Sequence, residues 1–384
     1  MLNRAKCISQ ASSLKIIRAK GSYVYSSCGR KVLDMGSGIG SNVLGHGHPA
    51  VLGAILGQCQ RVIHVAQHCY DNECVDVLNR ELGHFVPKEL DTALYCLSGS
   101  EGIDHATKIA KMYNKKRLVL SFSKGFHGRT TTNISLGDVT LRRQAGPNVI
   151  IPDYISMKAE KDIPSHILDS TSALIIEPIQ GERGGYHSIS PRFLKYLRHK
   201  CNQHGIVMIV DEVQTFLRTG TYFGNEVVVP DMVVVAKGLA NSLPLSAVIG
   251  KSRVMNNIPI GVIGGTFQGN CISLMVASEV LRTIREEKIL ENVKKQGAVL
   301  RNGLRDIRSK NSHIITDVRG KGLMVGIEYS NQRIANEMFN KYLRNNIFVM
   351  KTSYPSTHRL IPPLNIKDAE VSEFLDCTQK IISV

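Results

Sequence analysis

Residues 233–250 read "VVVAKGLANSLPLSAVIG", a β-branched apolar run, a lysine, a glycine turn and a second apolar run. The valines suit a buried strand, and Lys237 stands where that strand ends. An ammonium there is costly unless it reaches solvent along its aliphatic stem, is paired, or is chemically used. A snorkelling lysine and a working one are both open readings of this stretch alone. The neighbouring runs decide between them.

The same texture recurs in "TALYCL" (92–97), "RLVLSF" (117–122), "SALIIEP" (172–178) and "GIVMIVDEV" (205–213), and "SAVIG" (246–250) closes the quoted stretch. Helix-like segments separate several of these runs. Such alternation predicts an α/β fold whose central, mostly parallel sheet is covered on both faces. The best-marked helix is "SPRFLKYLRHKCNQHG", with Ser190 as cap, Pro191 in the first turn and Gly205 as the stop. Near the N-terminus, "LKIIRAKGSYVYSSCGRKVLDM" alternates like strands turned at Gly21 and Gly29. After "GGTFQGN" a long amphipathic segment from about Ile272 to Arg308 precedes mixed short elements. The organisation expected is an N-terminal segment (1–45) joining a smaller α+β lobe, a large domain (46–285) and a C-terminal small domain (286–384).

With 384 residues, 43% apolar and 21% charged, the chain has the composition of a globular protein of more than one lobe. No apolar stretch approaches the roughly 18 residues that span a bilayer. Lys and Arg number 48 against 32 acids, a formal charge of +16, which raises nucleic acid or a membrane surface as partners. The charge is spread along the chain without a basic block or an RNA-binding aromatic signature. It points instead to anionic small molecules, with no nucleic acid and no membrane. Nine cysteines occur without a CxxC pair, which reads as free thiols in a reducing compartment. The cytoplasm is the expected location; the absence of any acid before Asp34 leaves the mitochondrial matrix as the alternative. Phosphate-loop, dinucleotide and HExxH patterns are absent, and no metal is expected.

In an open parallel sheet, ligands gather outside the carboxyl ends of the strands. "TALYCL" is followed by Ser98-Gly99-Ser100-Glu101-Gly102 and a helix-compatible stretch. Backbone N–H groups at such a helix start suit a phosphate, and a plain N-cap explains the turn equally well. "RLVLSF" leads to Gly125-Phe126-His127-Gly128-Arg129-Thr130, where Phe126 could lie on a planar ring and Arg129 could grip a carboxylate. A solvated surface turn is the alternative. "IVMIVDEVQ" ends its apolar run on Asp211, a carboxylate that needs a cation or donor, either an internal salt bridge or a protonated ring nitrogen.

Together "SGSEGIDHATKIAK", "FHGRT", "EPIQGERGGY", "DEVQTFLRTG", "AKGLANSLPLSAVIG", "GGTFQGN", "VRGKGLMVGIE" and "RLIPPL" resemble the class III (ω-amino-acid) aminotransferases, from about Lys15 to Ile366. The resemblance implies the aspartate-aminotransferase-like fold (fold type I), pyridoxal 5′-phosphate as cofactor and a ping-pong reaction. By it, Lys237 is the lysine that holds the cofactor as a Schiff base and later carries the proton. Asp211 holds the pyridine nitrogen protonated, Gln214 bonds the phenolic oxygen, and Phe126 and Val213 pack the two ring faces. Gly99 and Ser100 cradle the phosphate, and Thr266 reaches the phosphate of a partner subunit, which implies a homodimer.

For the substrates, Arg129 and Arg359 are the two cationic grips that 2-oxoglutarate requires. Glu182 is the residue that covers an arginine while an ω-amine reacts, and Ile39 in "SGIGSN" resembles the 4-aminobutyrate branch. The activity implied is transfer from an ω-amino acid such as 4-aminobutyrate to 2-oxoglutarate, with acetylornithine or ornithine as the near alternative donor. An inert relative acting as a binding protein, or a basic nucleic-acid binder, is the answer of a different class; the joint presence of Lys237, Asp211 and Gln214 argues against both. Four departures from the family pattern stand out. "DEVQTFLRTG" is one residue short, Arg183 is extra, Gly102 replaces an alanine, and Ser242 replaces a glycine.

Overall fold

The computed structural model describes residues 11–122, 124–137, 163–183, 185–354 and 356–383. The N-terminal stretch forms an antiparallel meander of β1 (Ile16–Lys20), β2 (Tyr23–Ser26) and β3 (Lys31–Asp34). It turns at Gly21 and Gly29, whose φ values of 57° and 80° lie in the region that glycine enters without strain. Two helices follow, α1 (Pro49–Cys59) and α2 (Glu73–Gly83).

The central layer comprises β4 (Thr92–Cys96), α3 (Gly99–Asn114), β5 (Leu118–Leu120), β6 (Thr171–Ile176), α4 (Pro191–His204), β7 (Val207–Asp211), β8 (Met232–Val235) and β9 (Ser246–Gly250). Its strands lie in the order β4-β9-β8-β7-β6-β5. All run parallel except β9, which is antiparallel to both neighbours. Each apolar run of the sequence became a strand here. β6, β7, β8 and β9 are buried at every residue, as unbroken apolar strands must be when both faces are covered. Helix α4 is bounded as its sequence predicts. The Ser190 hydroxyl accepts from Phe193 N–H at 3.2 Å, and Gly205 closes the helix at φ 60°.

The amphipathic segment expected as one piece is two helices, α5 (Cys271–Glu286) and α6 (Ile289–Lys310). Lys288 breaks it at φ 51°, a turn that brings Ile289 and Val293 into the core. Beyond lie β10 (Ile315–Lys321), β11 (Met324–Tyr329), α7 (Gln332–Arg344), β12 (Thr357–Leu360) and α8 (Asp368–Ile382), the three strands forming an antiparallel sheet with Met350–Lys351. The pair Ile347–Phe348 leaves this region to run parallel beside β3, completing the N-terminal sheet. One apolar core joins Leu78, Leu274, Leu300, Val325 and Phe374. Separate clusters lie under α3, around Ile103 and Val234, and under α4, around Leu197 and Met208. Among the described residues, no helix is long and apolar enough to cross a membrane.

Candidate active site

The parallel strands deliver their carboxyl ends to one edge of the sheet. Asp211 closes β7 and pairs in register with Val234 of β8, three residues before Lys237. The chain leaves β8 through Ala236, and Lys237 opens a single 3₁₀ turn at φ 43°, a left-handed conformation that costs on the order of 1 kcal/mol or more for a side chain of this size. The turn aims the amine into a cavity of about 270 Å³ that Gly99, Ser100, Phe126, Val213 and Gln214 also line. Burial, then the charge of Arg359, pushes the Lys237 amine down from its ordinary 10.5 to about 8, against the pull of Asp211, Glu182 and Glu177. The lysine is therefore buried at the cavity and does not snorkel to solvent.

Asp211 is buried, and both its oxygens are held. Val213 N–H donates to Oδ1 at 3.0 Å, and His127 Nδ1 lies 2.8 Å from Oδ2. Burial opposes the charging of His127, yet the hydrogen bond and charge of Asp211 outweigh it and raise the imidazole. Below them, Glu177 accepts from Phe126 N–H at 3.0 Å and Gly181 N–H at 3.2 Å. Burial above all raises that carboxyl to about 7. His127 and Glu177 were quoted inside motifs without being assigned. The signal was present in the histidine flanked by "GF" and "GR" and in the acid that ends the apolar run "SALIIEP".

Gly99 and Ser100 form the first turn of α3, whose leading amides have no acceptor within the helix. A methyl group on Gly99 would meet both Val213 methyls at 2.9 Å, and one on Gly128 would meet the Ser100 hydroxyl at 2.3 Å. Glycine is needed there because Val213 and Ser100 pack directly against the backbone. A Cβ on Gly181 would strike the Gln214 side-chain oxygen at 2.1 Å.

An adjoining cavity of about 860 Å³ is lined by Ile39, Arg129, Glu182 and Arg359, and shares Phe126 and Lys237 with the first. Arg359 is 2% exposed and its Nη2 pairs with the Glu182 carboxylate. Its Nε and Nη1 are buried without a hydrogen-bond partner among the described residues, so a carboxylate that displaces Glu182 from Nη2 would gain a full two-nitrogen edge. Arg129 is exposed and its guanidinium lies 4.9 Å from the centre of the Phe126 ring. Ile39 is exposed at φ 60°. The extra Arg183 does not displace Glu182 from Arg359. Thr266 lines neither cavity. It is exposed on a surface loop, where its carbonyl accepts from His64 Nε2 at 2.7 Å.

Residues 7–382 match the model of the aminotransferase class-III family. The chain belongs to the class-III aminotransferases. It is 34% identical to the acetylornithine aminotransferase of Methanopyrus kandleri over 94% of this chain and 92% of that one. It is 31% identical to the 4-aminobutyrate aminotransferase GabT of Escherichia coli over 94% and 91%. A solved ornithine aminotransferase of Toxoplasma gondii, described with partial occupancy of pyridoxal phosphate at its active site, superposes with a TM-score of 0.89 at 27% identity, covering 98% of this chain and 92% of that one. The class-III cofactor is pyridoxal 5′-phosphate, and the residues present fit it. The smaller cavity combines an amine depressed toward neutrality, a buried carboxylate, bare amides at a helix start, and two buried polar atoms, Gln214 Oε1 and His127 Nε2, that have no protein partner among the described residues.

Proposed function

We propose that this aminotransferase moves an amino group from an ω-amino acid of the 4-aminobutyrate type to 2-oxoglutarate. The observation that carries this reading is the Glu182–Arg359 pair beside Lys237. A buried guanidinium needs a counter-charge. An ω-amine carries no carboxylate next to its reacting carbon, so Glu182 supplies the charge in that half-reaction. When 2-oxoglutarate enters, its α-carboxylate takes over the fork and Glu182 swings aside. Arg129, at the mouth of the larger cavity, takes the distal carboxylate, and Ile39 shapes the wall.

Bound pyridoxal phosphate supplies an electron sink for the carbanion left when the amine-bearing carbon loses its proton. Lys237 holds the cofactor covalently and, once released, moves that proton. Asp211, locked by His127 and Val213 N–H, would hold the ring nitrogen and keep it protonated. Gly99 and Ser100 hold the phosphate, Gln214 the phenolic oxygen, and Phe126 and Val213 the ring faces.

The working unit in this reading is a homodimer. Thr266 is too exposed to serve its own site, and Ile260, Phe267, Leu56, Ile63 and Tyr70 present bare apolar surface on α1 and on the loops around it and Thr266. The free thiols among the described residues suit the cytoplasm. A second reading, acetylornithine as donor, draws on the 34% identical relative and on the size of the outer cavity.

A panel of 4-aminobutyrate, ornithine and N-acetylornithine, each with 2-oxoglutarate, tests the proposal. The 4-aminobutyrate-type donor is expected to give the highest kcat/KM. A tenfold or greater preference for N-acetylornithine overturns it in favour of the second reading.

A further inference from the structure

Where β4 meets the first turns of α3, three side chains of metal-ligating type converge. Cys96 ends β4, and Glu101 and His105 stand one turn apart on α3. One donor atom from each lies within 4.8 Å of the others. Their spacing in sequence resembles no familiar metal motif, because the juxtaposition is made by the strand folding against the helix that follows it.

We propose that Cys96, Glu101 and His105 form a binding site for one divalent cation of the zinc class. The chemistry matches in three respects. A thiolate, a carboxylate and a neutral imidazole together carry two negative charges, so the loaded site is neutral, as a site this buried requires. The imidazole Nδ1 is buried without a hydrogen-bond partner among the described residues, and Nε2 lies 3.5 Å from Glu101 Oε1. The donor set of sulfur, nitrogen and oxygen is the one zinc prefers over magnesium or calcium.

Tetrahedral zinc holds its ligands about 3.4–3.8 Å apart, so the three groups must close by roughly 1 Å. Gln268 provides the slack. Its amide lies 2.7 Å from Glu101 Oε1 and 3.2 Å from His105 Nε2, and by turning over it can offer its oxygen as the fourth ligand. The cation enters along Glu101, whose side chain is 26% exposed. Burial holds the Cys96 thiol up at about 12, so binding displaces its proton to solvent: one cation in, one S–H broken, one metal–sulfur bond formed.

Cobalt(II) titration of the cofactor-loaded enzyme tests the site, because tetrahedral cobalt–thiolate coordination gives intense visible bands that a structural role for these residues cannot mimic. One cobalt per chain is expected, displaced by zinc, with the bands lost in Cys96→Ser and binding lost in His105→Ala. Cys69→Ser, at an exposed thiol, leaves the signal intact. Should Cys96→Ser fail to fold, His105→Ala carries the test alone. Absence of tetrahedral bands in the wild-type enzyme overturns the proposal, as does their survival in His105→Ala.

Discussion

The Glu182 carboxylate rests on Nη2 of Arg359 while Nε and Nη1 of the same guanidinium stay open. Both two-nitrogen edges of the guanidinium include Nη2, so a substrate carboxylate gains its bidentate grip only when Glu182 yields. Arg359→Ala is expected to cripple the half-reaction with 2-oxoglutarate by about 2–5 kcal/mol, roughly 30-fold to a few thousandfold, while largely sparing donation from 4-aminobutyrate. Glu182→Ala acts in reverse, slowing the ω-amine step and favouring α-amino acids such as glutamate. Stopped-flow measurement of each half-reaction separates them; equal slowing of both steps by both variants removes Glu182 from the proposed role.

Asp211 touches His127 at 2.8 Å, which makes the histidine a positioning residue for the carboxylate. Asp211→Asn is expected to retain cofactor while slowing the chemical step by at least about 10²-fold. His127→Phe leaves Asp211 Oδ2 without its buried hydrogen-bond partner, so the cofactor's visible spectrum is expected to shift and the rate to fall with it. Wild-type single-turnover rates in Asp211→Asn would be incompatible with its facing the ring nitrogen.

Only the neutral amine of Lys237 can bond to the cofactor. With the amine at about 8 in the folded chain, capture of pyridoxal phosphate by the cofactor-free enzyme is expected to accelerate as pH rises and to level off above about 8. The stability linkage has the same sign. Between about 8 and the ordinary 10.5 the unfolded chain binds the extra proton, so stability from this group rises with pH across that window and the burial penalty is full below it. Lys237→Met abolishes the borohydride-fixed cofactor and flattens that part of the stability profile. A covalent adduct surviving in Lys237→Met would place the linkage on another lysine.

Ser242 occupies φ 81°, a backbone conformation that glycine enters without strain and serine does not. Its hydroxyl, 2.8 Å from that of Ser41, offsets the strain. Removing the bond costs about 1 kcal/mol, and relieving the strain returns a similar amount. Ser242→Gly is therefore near neutral, while Ser242→Ala loses the bond and keeps the strain, for a cost of about 1 kcal/mol. At Gly102 the sign reverses. A methyl there meets Val234 Cγ1 at 2.9 Å and the Ser246 hydroxyl at 3.3 Å, so Gly102→Ala costs about 1–3 kcal/mol from overpacking despite the better helix former. Urea melts rank all three.

The central sheet was legible because β6 through β9 are unbroken apolar runs with turn residues after each, and a buried strand leaves no other pattern. Lys237 and Asp211 were legible for the same reason. A charge at the end of such a run contradicts its surroundings, and contradictions of that kind mark sites. The break at Lys288 was not, since a lysine carries no sign of a left-handed turn and the apolar spacing continues across it. His127 and Glu177 carried a sequence signal, but what they do needed the third dimension, for their partners lie 84 and 51 residues away. The convergence of Cys96 with Glu101 and His105 is likewise a property of strand packing on helix.

The pairing of β3 with Ile347–Phe348 sets an order of assembly. The ribosome delivers β3 more than three hundred residues before its partner, and such distant pairings form late and slowly. Until the partner arrives, that strand is an open edge, a template for any other extended chain nearby. A polypeptide cut short before Ile347 keeps Lys237, Asp211 and the glycine turn that opens α3, and still emerges as a species prone to aggregation.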